Sequence, residues 1–289
     1  MTDLFASDIF LRALAGAVVI GLAAPTLGTY LVQRRLALIG DGIGHVALTG
    51  VGVGLLFDQS PVLTAVVVAA LGAVGVELVR ERGRTSGDLA LALLFYGGIA
   101  GGVLLVNLSG GTGTNLLQFL FGSLSTTSSD DLAVIAVLGA VVVAAMLALR
   151  PALFAICHDE EYARVSGLPV RALNVLLAVT TAVTVTIAMR TVGLLLVSAL
   201  MVVPVAAAQQ VTRGFRSTMH AAMAIGVLAA GAGVVVAAEA DTAPGATIVM
   251  VAIAVFLGIT VAAALRRATR RRPRADSPQP EPPEVVLQR

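Results

Sequence analysis

The sequence predicts an all-α, polytopic helical membrane protein, and three observations carry the prediction. Of the 289 residues, 57% are hydrophobic and only 12% charged, against about 25% charged in a soluble domain. The apolar residues gather in runs of roughly 20, enough for a helix rising ~1.5 Å per residue to cross a hydrocarbon core of ~30 Å. The charges sit mostly between those runs, in short polar connections. Mean hydropathy is +0.95, so water is not the main solvent of this chain. Helices satisfy each backbone N–H and C=O within the segment, as hydrocarbon demands.

Composition also excludes several classes. All 19 basic residues are arginine, so a Gly-x-x-x-x-Gly-Lys-Ser/Thr phosphate loop cannot occur, and no catalytic apparatus is read. The single Cys157 permits neither an intrachain disulfide nor a cysteine metal cluster. The sequence pI near 9.2 reflects arginines at the ends of apolar runs and in one tail, which does not imply nucleic acid as a partner. Met1-Thr2-Asp3-Leu4 lacks the basic stretch of a secretory signal, so the first run is expected to be retained.

Taken in order, spans are expected at 9–32, 38–57, 61–79, 89–108, 132–149, 170–189, 191–211, 217–238 and 246–265. That makes about nine transmembrane helices, with eight to ten as the range. An odd number puts the termini on opposite sides, and the arginines choose the sides. Placing Arg34, Arg35, Arg80, Arg82, Arg84, Arg150, Arg164, Arg171, Arg213, Arg216 and the seven arginines from Arg266 onward inside leaves only Arg12 and Arg190 outside, a split of 17 to 2. Basic residues favour the cytoplasmic side. The expectation is a multi-pass protein of the cell (plasma) membrane, N-terminus outside and C-terminus cytoplasmic.

One connection is ambiguous. Between Asn107 and Asp131 the run Leu116 to Phe121 is too short to span. It reads either as a re-entrant half-helix, tolerated where backbone is buried in protein, or as an amphipathic surface segment. The helices themselves are rich in small residues, with Gly50-x-x-x-Gly54, Gly97-x-x-x-Gly101 and Gly98-x-x-x-Gly102, a spacing that lets backbones approach closely in lipid. Pro25 and Pro204 interrupt two spans and each removes a backbone donor.

The stretch Arg34-Arg35-Leu36-Ala37-Leu38-Ile39-Gly40-Asp41-Gly42-Ile43-Gly44-His45 stands apart. Asp41 and His45 are four residues apart, so on a helix they share a face, roughly 6 Å apart along the axis. Ionisable groups in a membrane segment are expensive and face a protein interior or a wet path. A carboxylate and an imidazole also make a ligand set for divalent transition metals. The plainer readings are that the two pair with each other or cap a helix beginning after Gly40; His45, about two turns in, lies deeper than capping explains. His158 and His220, in or beside connections, read as solvated.

This arginine pair, the Gly-Asp, and the His four residues after the Asp resemble the signature of the permease subunits of zinc- and manganese-type metal-ion ABC importers. In that family the signature opens the second membrane helix, and the residue before the His is usually Ser, where this chain has Gly44. The resemblance implies a metal path through Asp41 and His45. One chain offers two ligands, and a homodimer with this helix near its two-fold axis would bring together two carboxylates and two imidazoles.

The connection Cys157-His158-Asp159-Glu160-Glu161-Tyr162-Ala163-Arg164-Val165-Ser166-Gly167-Leu168-Pro169 predicts a short helix. Asp159 is placed to cap it, Glu160 and Glu161 suit its first turn, and Gly167 with Pro169 stops it. By itself this is either a solvated loop helix or a helix that docks in a partner's groove. The family carries an acidic residue, a small helix and Gly-Leu-Pro here, which implies that Asp159, Glu160, Glu161, Tyr162, Ala163, Arg164 and Gly167 contact an ATP-hydrolysing subunit. Thr191 to Gln209 and Pro244-Gly245-Ala246-Thr247 also look like the family, so the resemblance runs from about Ile9 to Leu265. Glu77 is expected to pair with Arg80 or Arg82. Glu239 and Asp241 read as a solvated outer loop, or as a contact for an extracytoplasmic protein. The tail, 266–289, lacks apolar periodicity and is expected to be disordered, its basic start serving as a stop-transfer anchor or holding anionic lipid.

The expected function is therefore a transmembrane permease, 1–265, of an ABC importer for zinc, manganese or iron. It would hold no permanent cofactor and would act with a second copy of itself, a separate ATP-binding subunit and an extracytoplasmic metal-binding protein. Two alternatives differ in testable ways. A cobalamin or siderophore permease shares the docking helix but does not call for Asp41 and His45. A proton-coupled secondary transporter needs neither the docking helix nor ATP.

Overall fold

The computed structural model describes residues 7–81, 87–110, 118–122, 128–189 and 192–270. Among them run eleven helices: α1 (Asp8–Gln33), α2 (Ile39–Leu56), α3 (Pro61–Glu81), α4 (Gly87–Leu108), α5 (Ser129–Ala148), α6 (Arg150–His158), α7 (Glu160–Val165), α8 (Val170–Ala188), α9 (Leu194–Val211), α10 (Phe215–Ala240) and α11 (Pro244–Arg270). Eight are long and apolar enough to cross a bilayer, and α9 contributes the shorter apolar run Val197–Val211. Every expected span thus has its helix. The sequence reading did not anticipate α6. The last helix continues to Arg270, past the expected end of its span at 265; residues 271–289 lie outside those described, as do Arg82 and Arg84.

Local sequence accounts for several helix ends. Ser7 caps α1 by accepting from the Phe10 N–H at 3.3 Å, and Asp8 in the first turn pairs with Arg12 at 3.1 Å. Ser128 and Asp131 form a capping box at the start of α5, satisfying two donors that a helix N-terminus leaves free. At the far end of α1, Arg35 takes a left-handed φ of +59°. The Leu36 N–H then donates to Leu31 at 2.8 Å and the Arg35 N–H to Val32 at 3.1 Å, a Schellman closure. Glycine would normally stand there; a side chain in that conformation costs about 1 kcal/mol.

Burial sorts the helices into an inner and an outer set. In α2 and α8, 67% of the spanning residues are buried, against 17% in α4 and 11% in α11. The peripheral helices α3, α4, α5, α10 and α11 are each more apolar than the inner α1, α2 and α8. That is the reverse of a soluble protein, because lipid is as apolar as leucine and polar residues move inward. In α8 the buried Thr181, Thr184 and Thr186 hydroxyls donate to the carbonyls of Leu177, Thr180 and Ala182 at 2.7–2.8 Å, so they enter the core without orphaned donors.

Close backbone crossings hold the inner set. Gly50 and Gly54 of α2 lie against Ala65, Thr64 and Pro61 of α3, while Gly98 and Gly102 of α4 lie against His45 and Leu48 of α2. Of the two overlapping glycine motifs, the Gly98 frame makes the crossing; Gly97 faces open space. A Cβ on Gly28 of α1 would overlap the Met201 carbonyl of α9. Pro25 and Pro204 sit inside continuous helices.

Of the ambiguous connection between Asn107 and Asp131, residues 111–117 and 123–127 lie outside those described. Residues 118–121 make one helical turn, and the backbone of Leu120 to Gly122 rests on Gly193, between α8 and α9, where a Cβ would come within 2.5 Å. Phe119 and Leu120 pack on the main core. Residues 116 and 117 lie outside those described.

Gly28→Ala is expected to destabilise the fold by about 2 kcal/mol, as overpacking does. Gly231→Ala, whose Cβ would meet nothing within 4 Å, is expected to be neutral or to stabilise by up to ~1 kcal/mol through helix propensity. The fraction of monodisperse protein after heating in detergent separates the two.

Candidate functional site

The Schellman closure at Arg34–Leu36 turns the chain directly into α2, whose first turn carries Asp41. No side chain caps this helix, so the Asp41 carboxylate sits by the positive end of the α2 dipole. Asp41 is half-buried, at a cavity of about 250 Å³ lined also by Leu38, Leu91, Ala92, Phe95 and Tyr96. One turn deeper, His45 is only 4% exposed. Its ring meets the edge of Phe95 with centroids 4.3 Å apart, and its Nδ1 is buried without a hydrogen-bond partner.

An unpaired buried imidazole nitrogen costs on the order of 1–3 kcal/mol, so its position is held from outside the side chain. Gly98 does this: its Cα lies so close to the His45 carbonyl that a Cβ would come within 2.8 Å. The Thr49 hydroxyl donates to the Gly98 carbonyl at 2.8 Å. Helix α4 is thereby locked to α2 at the level of His45. Among the described residues no group of three or more His, Cys, Asp or Glu side chains is arranged to hold a metal ion. Asp41 and His45 stand one turn apart on α2, and Tyr96, which lines the cavity at Asp41, is 70% exposed.

The other residues singled out in the sequence lie on and beside α7. Asp159 caps it as expected, accepting from the Tyr162 N–H at 2.9 Å, and Gly167 closes it at φ +82°. The Gly167 N–H donates to Arg164 and the Leu168 N–H to Ala163, both at 3.1 Å, a second Schellman closure. Ala163 is fully buried while Tyr162 and Val165 are exposed, and Glu161 is exposed as well. The helix therefore has one small buried anchor and presents an aromatic, an aliphatic and an acidic group outward.

Sequence reasoning treated Arg34 as a boundary marker, and the structure gives it more to do. Its side chain is 6% exposed and reaches Glu160 Oε2 at 2.7 Å and Asn174 Oδ1 of α8 at 2.6 Å. A lone asparagine in an apolar span was the signal available. Glu160 also accepts from Arg164 at 3.5 Å. Glu77 pairs with Arg80 at 2.8 Å, as expected. Nearby, the Cys157 Sγ lies 3.7 Å from the Tyr30 carbonyl; burial pushes its pKa up to about 11, against the pull of Arg34, so it remains a thiol at neutral pH. His158 stacks on Phe154 and His220 is exposed. Asp241 is exposed and ends α10 in the left-handed region.

An all-α bundle of membrane-length apolar helices whose inner members carry most of the buried polar side chains defines a multi-span membrane protein. The profile of the ABC 3 transport family matches residues 6–263, so the chain belongs to that family. It is 31% identical over 245 residues to the manganese transport system membrane protein MntC of Halalkalibacterium halodurans, covering 85% of this chain and 84% of that protein. It is 27% identical over 250 residues to the high-affinity zinc uptake system membrane protein ZnuB of Haemophilus influenzae, covering 86% and 96% respectively. The solved PsaBC from Streptococcus pneumoniae, in complex with Fab, superposes with a TM-score of 0.82 at 24% identity over 92% of this chain and 98% of that one. That likeness establishes the fold. The chain is a transport subunit and not an enzyme.

Asp159→Ala is expected to cost α7 about 1 kcal/mol, and Asp159→Ser to cost little, since serine caps as well. Amide hydrogen exchange across residues 160–165 should rise about fivefold in the alanine variant only.

Proposed function

We propose that this chain is the permease of an ABC importer that moves a divalent metal ion, manganese, zinc or iron, into the cytoplasm. The observation that carries the reading is the His45 imidazole, buried with Nδ1 unpaired and one turn beyond a half-buried Asp41. A polar atom left unsatisfied inside an apolar bundle is tolerated where it has a transient partner. The relatives named for manganese and zinc transport support a metal ion as that partner.

Two donors are fewer than the four of a tetrahedral site. Two copies related by a two-fold axis, with the Tyr96 sides facing, would supply two carboxylates and two imidazoles. An ion shared between two half-sites is easily released, as a pathway requires. In this scheme the ion is cargo, and the chain needs no resident cofactor.

The driving subunit would dock on α7, with Tyr162 and Val165 entering its groove and Asp159, Glu160, Glu161, Ala163, Arg164 and Gly167 shaping the helix. This places the arginine-bearing end of the bundle in the cytoplasm, in keeping with the 17 to 2 arginine split. The opposite end, carrying residues 118–122 and the exposed Glu239 and Asp241, would receive a metal-binding protein. The stretch 266–289 is proposed as a cytoplasmic tail. The docking helix and the metal-named relatives favour this reading over a proton-driven carrier.

Uptake of manganese, zinc and iron, each measured in cells lacking their own importer and expressing this chain with its partner subunits, tests the reading. Asp41→Asn and His45→Ala are each expected to reduce uptake of the cargo metal by more than about tenfold, the low end of what loss of even an outer-shell partner costs a metal site. Full uptake in both variants, at normal membrane levels, would refute the assignment.

A further inference from the structure

We propose that Arg34 is a strut that carries movement of α7 into the helix bearing Asp41 and His45, which makes it a positioning residue for translocation. The proposal rests on the permease reading above. An arginine that only marks a membrane boundary snorkels its guanidinium toward headgroups. The Arg34 side chain is instead 6% exposed, and it is committed to two elements at once. One nitrogen donates to Asn174 Oδ1 of α8 at 2.6 Å and another to Glu160 Oε2 of α7 at 2.7 Å. Glu160 lies 126 residues away in the chain, so only the tertiary fold brings it here.

What lies behind Arg34 is stiff. Its backbone ends α1, and the bonds from Leu36 to Leu31, from Arg35 to Val32 and from Ile39 to Leu36 leave no free linker before α2 begins. Asp41 follows in the first turn of α2. Displacement of the guanidinium therefore reaches the half-site through a hydrogen-bonded turn.

What lies in front of Arg34 has room to move. A cavity of about 770 Å³, lined by Glu77, Glu160, Arg164 and Asn174 among others, opens beside the pair. Helix α7 packs mainly on α6 and α8. Glu77, the other carboxylate lining that cavity, is held by Arg80 at 2.8 Å. A push on Tyr162 and Val165 would thus shift Glu160, and the short charge-assisted bond would draw Arg34 with it.

The test uses the complete transporter, this chain with its ATPase subunit and binding protein, in proteoliposomes, with manganese as the probe. The readout is manganese imported per ATP hydrolysed. Arg34→Gln is expected to lower that ratio about tenfold or more while hydrolysis continues, a size within the usual range of coupling between sites. The exchanged pair, Arg34→Glu with Glu160→Arg, is expected to recover most of it, which a merely structural loss would not allow. An unchanged ratio in Arg34→Gln overturns the proposal, and so does a proportional fall of uptake and hydrolysis. If Arg34→Gln does not assemble, Glu160→Gln breaks the same pair from its partly exposed side; an unchanged ratio there overturns the proposal equally. Failure of the permease reading is separate and visible in the controls: wild type would import no manganese, zinc or iron, or Asp41→Asn would import fully.

Discussion

The structure depends on the close contact between α2 and α4 at Gly98. In lipid no hydrophobic force separates a helix from its surroundings, so association rests on van der Waals contact and interhelical hydrogen bonds, both of which need backbones to approach. Gly98 allows its helix to rest on the His45 carbonyl, and Thr49 fastens the crossing. Gly50 and Gly54 do the same toward α3. With both neighbours this near, α2 becomes an inner helix, and the imidazole it carries is sealed from solvent at 4% exposure.

From that crossing follows the polar economy of the bundle. Hydroxyls on α8 return their protons to their own helix, and Glu77 is neutralised within its own helix. Arg34 is shared between α7 and α8. The His45 Nδ1 and the Ser198 hydroxyl oxygen are the buried side-chain atoms left without a partner among the described residues. Unsatisfied groups are rare in folded proteins and mark places where something other than stability sets the residue. That His45 is one of them, beside a carboxylate, sets it apart from the exposed His220 and the stacked His158.

Much of this was legible in the chain. The spans were readable because crossing a bilayer is a matter of length and apolar content, both local properties. The α7 boundaries were readable because Asp159 and Gly167 act through capping and a left-handed turn within a few residues of themselves. Asp41 and His45 could be placed on one face because helical periodicity is fixed. By contrast, α6 carries too few apolar residues in a row to announce itself, and Arg34 looked like any arginine at a membrane edge.

The sequence by itself determined that this is an all-helical membrane protein, where its long spans run to within a few residues, and that Asp41 and His45 share one helix face. Each of these rests on interactions between residues within a turn or two of one another. Only the tertiary structure decided which helices lie inside, which glycine frame of α4 meets α2, and that Arg34 reaches Glu160 and Asn174. Those outcomes join residues from 49 to 140 positions apart, and no local periodicity records which of several apolar faces will meet.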